Sequence, residues 1–174
     1  MGTTAKSLFS FPNPVNEVAA RVVAGGVLVM VVAALAFRQQ WLLVPLAYGF
    51  WARVLTGPKL SPLGQLATRV VAPRLSTTPR LVPGPPKRFA QAIGLVFSST
   101  AVVLWCGVGA HGAAWITLGL LGAGALLESV FALCLGCKVF AGLMRVGLVP
   151  DTVCAACNDI TMRVPELRRE PAGI

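Results

Sequence analysis

The chain has 174 residues, of which 56% are hydrophobic and only 12% charged, with a formal net charge of +9. Charged residues make up about a quarter of an ordinary soluble domain, so this composition excludes one and points to a single unit in a bilayer. Nor does the positive charge mark a nucleic-acid binder. The basic run Arg53, Lys59, Arg69, Arg74, Arg80, Lys87 and Arg88 contains no acid and no interleaved aromatic, the pattern of a cytoplasmic loop between membrane helices.

Four apolar stretches, each close to the ~20 residues that cross a bilayer as a helix, follow in chain order. They cover residues 18–37, 41–57, 89–110 and 113–135. Arg21 lies in the first, Arg53 in the second, no charge in the third and only Glu128 in the fourth. The links Arg38-Gln39-Gln40 and Gly109 to Gly112 are short, so the stretches form two antiparallel hairpins. The basic run orients them: it and both termini face the cytoplasm. Arg21 and Arg53 then share the cytoplasmic end and can snorkel to its interface. Trp41, Trp105 and Trp115 fall near the outer interface and Trp51 near the inner one, as an aromatic belt does. The predicted fold is all-α, an integral membrane four-helix bundle with N and C termini inside.

Two local patterns qualify this layout. Val22 to Ala36 has the look of a secretory h-region ending at Ala34-Leu35-Ala36. However, Pro12, Asn13, Pro14, Asn16 and Glu17 stand where a short basic segment belongs, so a retained span is expected. Between the second and third spans, Ser61-Pro62 reads as an N-cap followed by proline at the first helical position. Leu63, Leu66, Ala67 and Val70 recur at helical spacing opposite Gln65, Thr68 and Arg69. This predicts an amphipathic helix over residues 61–72 along the cytoplasmic interface, limited by Pro73. Pro79, Pro83, Pro85 and Pro86 then make a stiff approach to the third span.

Chemistry concentrates at the end of the chain, in "CLGCKVFAGLMRVGLVPDTVCAAC". The membrane domain is expected to end near residue 141, leaving residues 142–174 as a cytoplasmic, cysteine-bearing tail. Cys134/Cys137 and Cys154/Cys157 are two C-x-x-C pairs sixteen residues apart. Facing a reducing cytoplasm, they are not expected to form permanent disulfides. Their spacing fits a four-cysteine zinc site, and four thiolates can also hold an iron–sulfur cluster. Alternatively, the pairs cycle as dithiols, or have no special role. At the C-terminus of the fourth span, Cys134 and Cys137 face a helix dipole that disfavours thiolate. Pro150-Asp151-Thr152 reads as a helix start that puts Cys154 in a first turn, where thiols are acidified.

Three further residues stand out. Glu128 is an acid inside a span, a candidate for proton or cation handling unless it pairs with Arg21, Arg53 or Arg88. On an ideal helix it points away from Cys137 by about half a turn. Cys106 is an isolated thiol, expected to be buried. His111, the single histidine, sits in the outer link, where metal or proton chemistry is the alternative to a plain loop residue.

The blocks "LTGPKLSPLGQLATRVVAPRL", "PPKRFAQAIGLVF" and "LESVFALCLGCKVF" occur together and in order. Over residues 13–141 they resemble an uncharacterised bacterial membrane family, described only as domain of unknown function 4395. The resemblance implies a small helical protein of the bacterial inner membrane whose fourth span ends in the Cys134/Cys137 pair. It also implies association with thioredoxin-like or sulfurtransferase proteins. It carries no established activity, and the Cys154/Cys157 pair lies outside it. Two functions are therefore expected. In one, a thiol–disulfide or sulfur-redox component hands electrons between a thioredoxin-like partner and the membrane quinone pool. In the other, a non-enzymatic scaffold has its tail fastened by zinc on Cys134, Cys137, Cys154 and Cys157. A transporter would need more polar residues within the spans.

Overall fold

The computed structural model describes residues 11–75, 81–150 and 153. Helix α1, Glu17–Phe37, starts where Asn16 caps it: the side-chain oxygen accepts from the Val18 and Ala19 amides at 2.9 and 3.4 Å. Glu17 in the first turn complements the positive end of the helix. A 3-10 turn at Gln40–Leu42 leads into α2, Leu43–Thr56, which ends on Gly57 at a positive φ of 66°. With 14 residues, α2 is about 21 Å long, short of the ~30 Å hydrocarbon layer and shorter than the span expected over 41–57.

Ser61 caps the next segment as its sequence predicts, its hydroxyl accepting from the Gly64 amide at 3.2 Å. The segment comprises α3 (Pro62–Leu66), a π-helical turn (Ala67–Val71) and α4 (Ala72–Leu75). It therefore runs past Pro73, which the helix accommodates near its end. It buries the small residues Gly64, Ala67 and Ala72 and exposes Leu66, Val70 and Leu75. Strands β1 (Val15–Asn16) and β2 (Leu81–Val82) pair antiparallel, with Val15 opposite Val82.

Helix α5, Gly84–Val102, continues as a π-helical turn over Val103–Gly107. It begins five residues before the expected 89 because Pro85 and Pro86 occupy its first turn, where no amide donor is needed. Helix α6 spans His111–Phe131, and α7 spans Leu135–Arg145, crossing the boundary expected at residue 141. Three of these helices are long and apolar enough to cross a membrane: Glu17–Phe37, Gly84–Gly107 and His111–Phe131.

The sequence neighbours α1 and α2 touch only slightly; α1 packs along α6, and α2 along α5. The core joins Val27, Val31 and Ala34 of α1 with Leu43, Leu46 and Phe50 of α2, Ala101 of α5, and Leu118, Leu121 and Ala125 of α6. Outward-facing positions are apolar as well. In and just before α2, Trp41, Val44, Tyr48, Trp51 and Leu55 form an exposed stripe at spacings of three and four. Val29, Val32, Val96, Ile116 and Val130 are exposed on the long helices.

Helix α7 approaches α5 through glycine. A Cβ on Gly136 would meet the Ala90 Cα and Cβ at 2.6 Å, whereas one on Gly142 would meet nothing within 4 Å. Gly136→Ala should therefore destabilise the protein by about 1–3 kcal/mol as α7 is pushed outward. Gly142→Ala should be neutral or stabilising by up to about 1 kcal/mol, the usual helical gain over glycine. Thermal unfolding of the two variants in the same detergent checks the contrast.

Candidate functional site

The candidate site is built by a helix break. At Ala132 the backbone enters the left-handed region (φ 56°), and its amide bonds back to the Leu127 carbonyl. Arg21, reaching across from α1, donates to the Ser129 carbonyl at 3.0 and 3.2 Å and to the Val130 carbonyl at 3.2 Å. These bonds satisfy carbonyls that a helix end leaves without partners. The fourth stretch thus ends at Phe131, not at 135.

Cys134 is consequently not the end of one helix but the N-cap of the next. It is extended (φ −82°, ψ 99°), and its sulfur accepts from the Cys137 amide at 3.4 Å. This reverses the expected electrostatics: Cys134/Cys137 sit at the positive end of a helix dipole, which favours thiolate. Their Sγ atoms are 2.6 Å apart, Cys134 buried and Cys137 half-buried.

One ion pair faces this dithiol. The Lys87 Nζ donates to Glu128 Oε1 at 2.7 Å, with only 10% and 17% of the two side chains exposed. Glu128 thus pairs with Lys87, not with Arg21, Arg53 or Arg88. The expected half-turn separation of Glu128 from the cysteines disappears because the helix does not continue between them. Cys134 is held below the ordinary thiol pKa chiefly by the hydrogen bond its sulfur accepts from Cys137. Burial and the Glu128 charge oppose this, while Lys87 and the Cys137 amide assist it. The same hydrogen bond pushes Cys137 up, since its proton is shared toward Cys134.

Arg53 does not snorkel; it is buried. Its Nε donates to Gln91 Oε1 at 2.9 Å and its Nη1 to Ser61 Oγ at 3.2 Å, and the guanidinium lies 4.5 Å from the Phe50 ring centroid. Its Nη2 is buried with no hydrogen-bond partner. Arg88 instead donates to the Val54 carbonyl at 3.1 Å.

Two clefts meet at Cys134. An inner, mostly apolar cleft of about 260 Å³ is lined by Arg53, Gln91, Gly124, Glu128 and Cys134 among aliphatic and phenyl groups. An outer cleft of about 520 Å³ has Glu17, Lys87, Cys134, Cys137, Lys138 and Arg145 among its lining residues. Cys137 borders the outer cleft and Cys134 borders both.

The remaining expectations resolve unevenly. Cys154, Cys157 and the helix start expected at Asp151 lie outside the described residues. Among the described residues, no group of three or more His, Cys, Asp or Glu is arranged to hold a metal. Cys106 is exposed rather than buried, within the π-helical turn at the end of α5. His111 stacks on Trp105 at 4.1 Å, and Trp105 in turn packs edge-on against Trp115 at 5.0 Å. Lys87 and Arg53 carry the site's electrostatics, yet patterning marked Lys87 only as a loop charge and Arg53 as an interface charge and one of three possible partners of Glu128. Their one sequence signal is position, close to the ends of the apolar stretches that converge here.

The opposing charges give a signed prediction. Glu128→Gln removes a charge that raises the Cys134 pKa, so alkylation of Cys134 should extend to lower pH. Lys87→Met removes the opposing charge and leaves Glu128 unpaired. Alkylation at pH 7 should then slow by about an order of magnitude, as one pKa unit's loss of thiolate dictates. Rates of iodoacetamide labelling across pH, read by peptide mass, check both signs.

No curated protein and no solved structure matches the chain. Residues 15–145, from the first strand through the last residue of α7, match one family, so the helix break, the ion pair and the Cys134/Cys137 dithiol lie inside it and Cys154/Cys157 outside. The chain belongs to the family described as Domain of unknown function (DUF4395).

Proposed function

We propose that this protein is a thiol–disulfide exchange component of the bacterial inner membrane, with Cys134 and Cys137 as its reacting dithiol. The observation that carries the proposal is the pair of sulfurs 2.6 Å apart at a helix N-terminus, facing a buried lysine. Two vicinal thiols of unequal acidity are what reversible disulfide chemistry requires. The bilayer setting is supported by three helices of crossing length and by the exposed apolar stripe of α2, which we take as a fourth, shorter embedded helix. The basic run from Arg53 to Arg88 supports an orientation with both termini cytoplasmic.

The partner is a soluble dithiol protein of the thioredoxin-like or sulfurtransferase kind. It approaches the outer cleft, where Cys137 is the more accessible sulfur and Lys138 and Arg145 offer positive charge. In the disulfide state, the partner's thiolate attacks Cys137 and the Cys134–Cys137 bond breaks. Cys134 leaves as thiolate, stabilised by the Cys137 amide at the helix N-terminus and by the Lys87 charge, neither of which depends on a Cys137 proton. The partner's second thiol then displaces Cys137. One disulfide is broken and one formed, two electrons pass to Cys134/Cys137, and the partner's two protons end on those sulfurs or in solvent.

Purified protein equilibrated in glutathione redox buffers and trapped with a maleimide polymer should move as one two-electron transition over Cys134 and Cys137. Cys134→Ser should accumulate mixed disulfides at Cys137, because the sulfur that would resolve them is gone. Both thiols staying reduced throughout overturns the proposal. So does stoichiometric zinc in an anaerobic, chelator-free preparation with all four of Cys134, Cys137, Cys154 and Cys157 protected, which establishes the zinc-fastened scaffold instead.

A further inference from the structure

The inner cleft is the second face of the dithiol, and nothing in the exchange just described uses it. Its walls are apolar, with Val27, Phe50, Phe97 and Leu121 among them. Polar groups gather toward one end of the helices around it: Arg53 near the end of α2, Gln91 near the start of α5, and Glu128 near the end of α6. Arg53 is only 5% exposed, and its Nη2 is an unpartnered donor. A buried donor without a partner carries an unrecovered desolvation penalty, which a ligand bearing an acceptor oxygen would offset. An anionic headgroup is disfavoured by the Glu128 carboxylate on the same wall. At about 260 Å³ the cleft lies just below the ~300–1,000 Å³ of most small-molecule sites, which suits one ring with its tail left in lipid.

We infer that the inner cleft binds the ring of a membrane quinone, with a ring carbonyl oxygen accepting from Arg53 and the ring beside Cys134. The inference rests on the dithiol reading and names its electron acceptor. Two S–H bonds break and one S–S bond forms between Cys134 and Cys137; the quinone takes the two electrons and two protons and leaves as quinol. Cys134 borders both clefts, so electrons received through Cys137 from the outer cleft are delivered from Cys134 into the inner one.

The test uses the full chain, reduced, in nanodiscs under anaerobic conditions, with decylubiquinone as probe. Its ring is fully substituted, so a thiol cannot add to it and mimic oxidation. One quinol should appear for each pair of thiols lost at Cys134 and Cys137. Arg53→Met should raise the KM for the quinone at least about tenfold, as expected for loss of a charged hydrogen bond. Gly124 lines the cleft, and a Cβ there meets nothing within 4 Å, so Gly124→Leu introduces bulk at an open position of the cleft wall. It should raise the KM similarly while leaving the glutathione midpoint of the dithiol unchanged, which keeps the proposal testable should Arg53→Met fail to fold. Oxidation by glutathione disulfide but not by decylubiquinone overturns the quinone site and leaves the dithiol reading standing. Oxidation by neither overturns both. Oxidation at wild-type KM in Gly124→Leu overturns the cleft as the site.

Discussion

The ion pair between Lys87 and Glu128 is the contact around which this end of the molecule is organised. It ties the first turn of α5 to the last turns of α6, and it does so beside two sulfurs. Each charge is costly to bury without the other, whereas the pair neutralises itself. What remains for the thiols is a residual field of opposing contributions, Lys87 favouring thiolate and Glu128 resisting it. Acidity at Cys134 is therefore set first by the hydrogen bond from Cys137, with the two nearby charges acting against each other on top of it.

Much of the scaffold was legible from apolar run lengths, because a helix needs an uninterrupted apolar face whatever it packs against. Ser61 was readable as a cap, since the Ser-Pro dipeptide has few other uses before a periodic segment. The helix break between Phe131 and Leu135 was not. The residues there, Phe131-Ala132-Leu133-Cys134-Leu135, contain neither glycine nor proline, and alanine in the left-handed region carries no local signature. That single omission put the dithiol at the wrong end of a helix dipole and turned Glu128 away from it. Tertiary partners were equally invisible: nothing local says that Glu128 takes Lys87, or that Arg21 serves carbonyls more than a hundred residues away.

The assignment of helix pairs follows the same logic. Short links guarantee that consecutive helices run antiparallel, but not that they pack. Here α1 leaves α2 to lie against α6, with Gly122 admitting Val31 at close range. This cross-pairing leaves room between α2 and α1 that the short α3–α4 segment partly fills, Leu63 lying against Gly26. It also leaves the inner cleft open beside Phe50. The dithiol consequently stands where α1, α2, α5, α6 and α7 line one cleft, and each side of the pair meets a different environment.

The carbonyl contacts of Arg21 carry a consequence for biogenesis. The residue that closes the end of α6 belongs to the first of the three long helices among the described residues, while the carbonyls it serves belong to the last of them. During synthesis that helix must wait, its guanidinium solvated or at the lipid surface, until α6 arrives antiparallel beside it. The turn that presents Cys134 therefore becomes complete only after α6 has joined α1. A turn assembled this late stays unclosed in chains that stop short of α6, so the placement of Cys134 at a helix N-terminus depends on the order of construction itself.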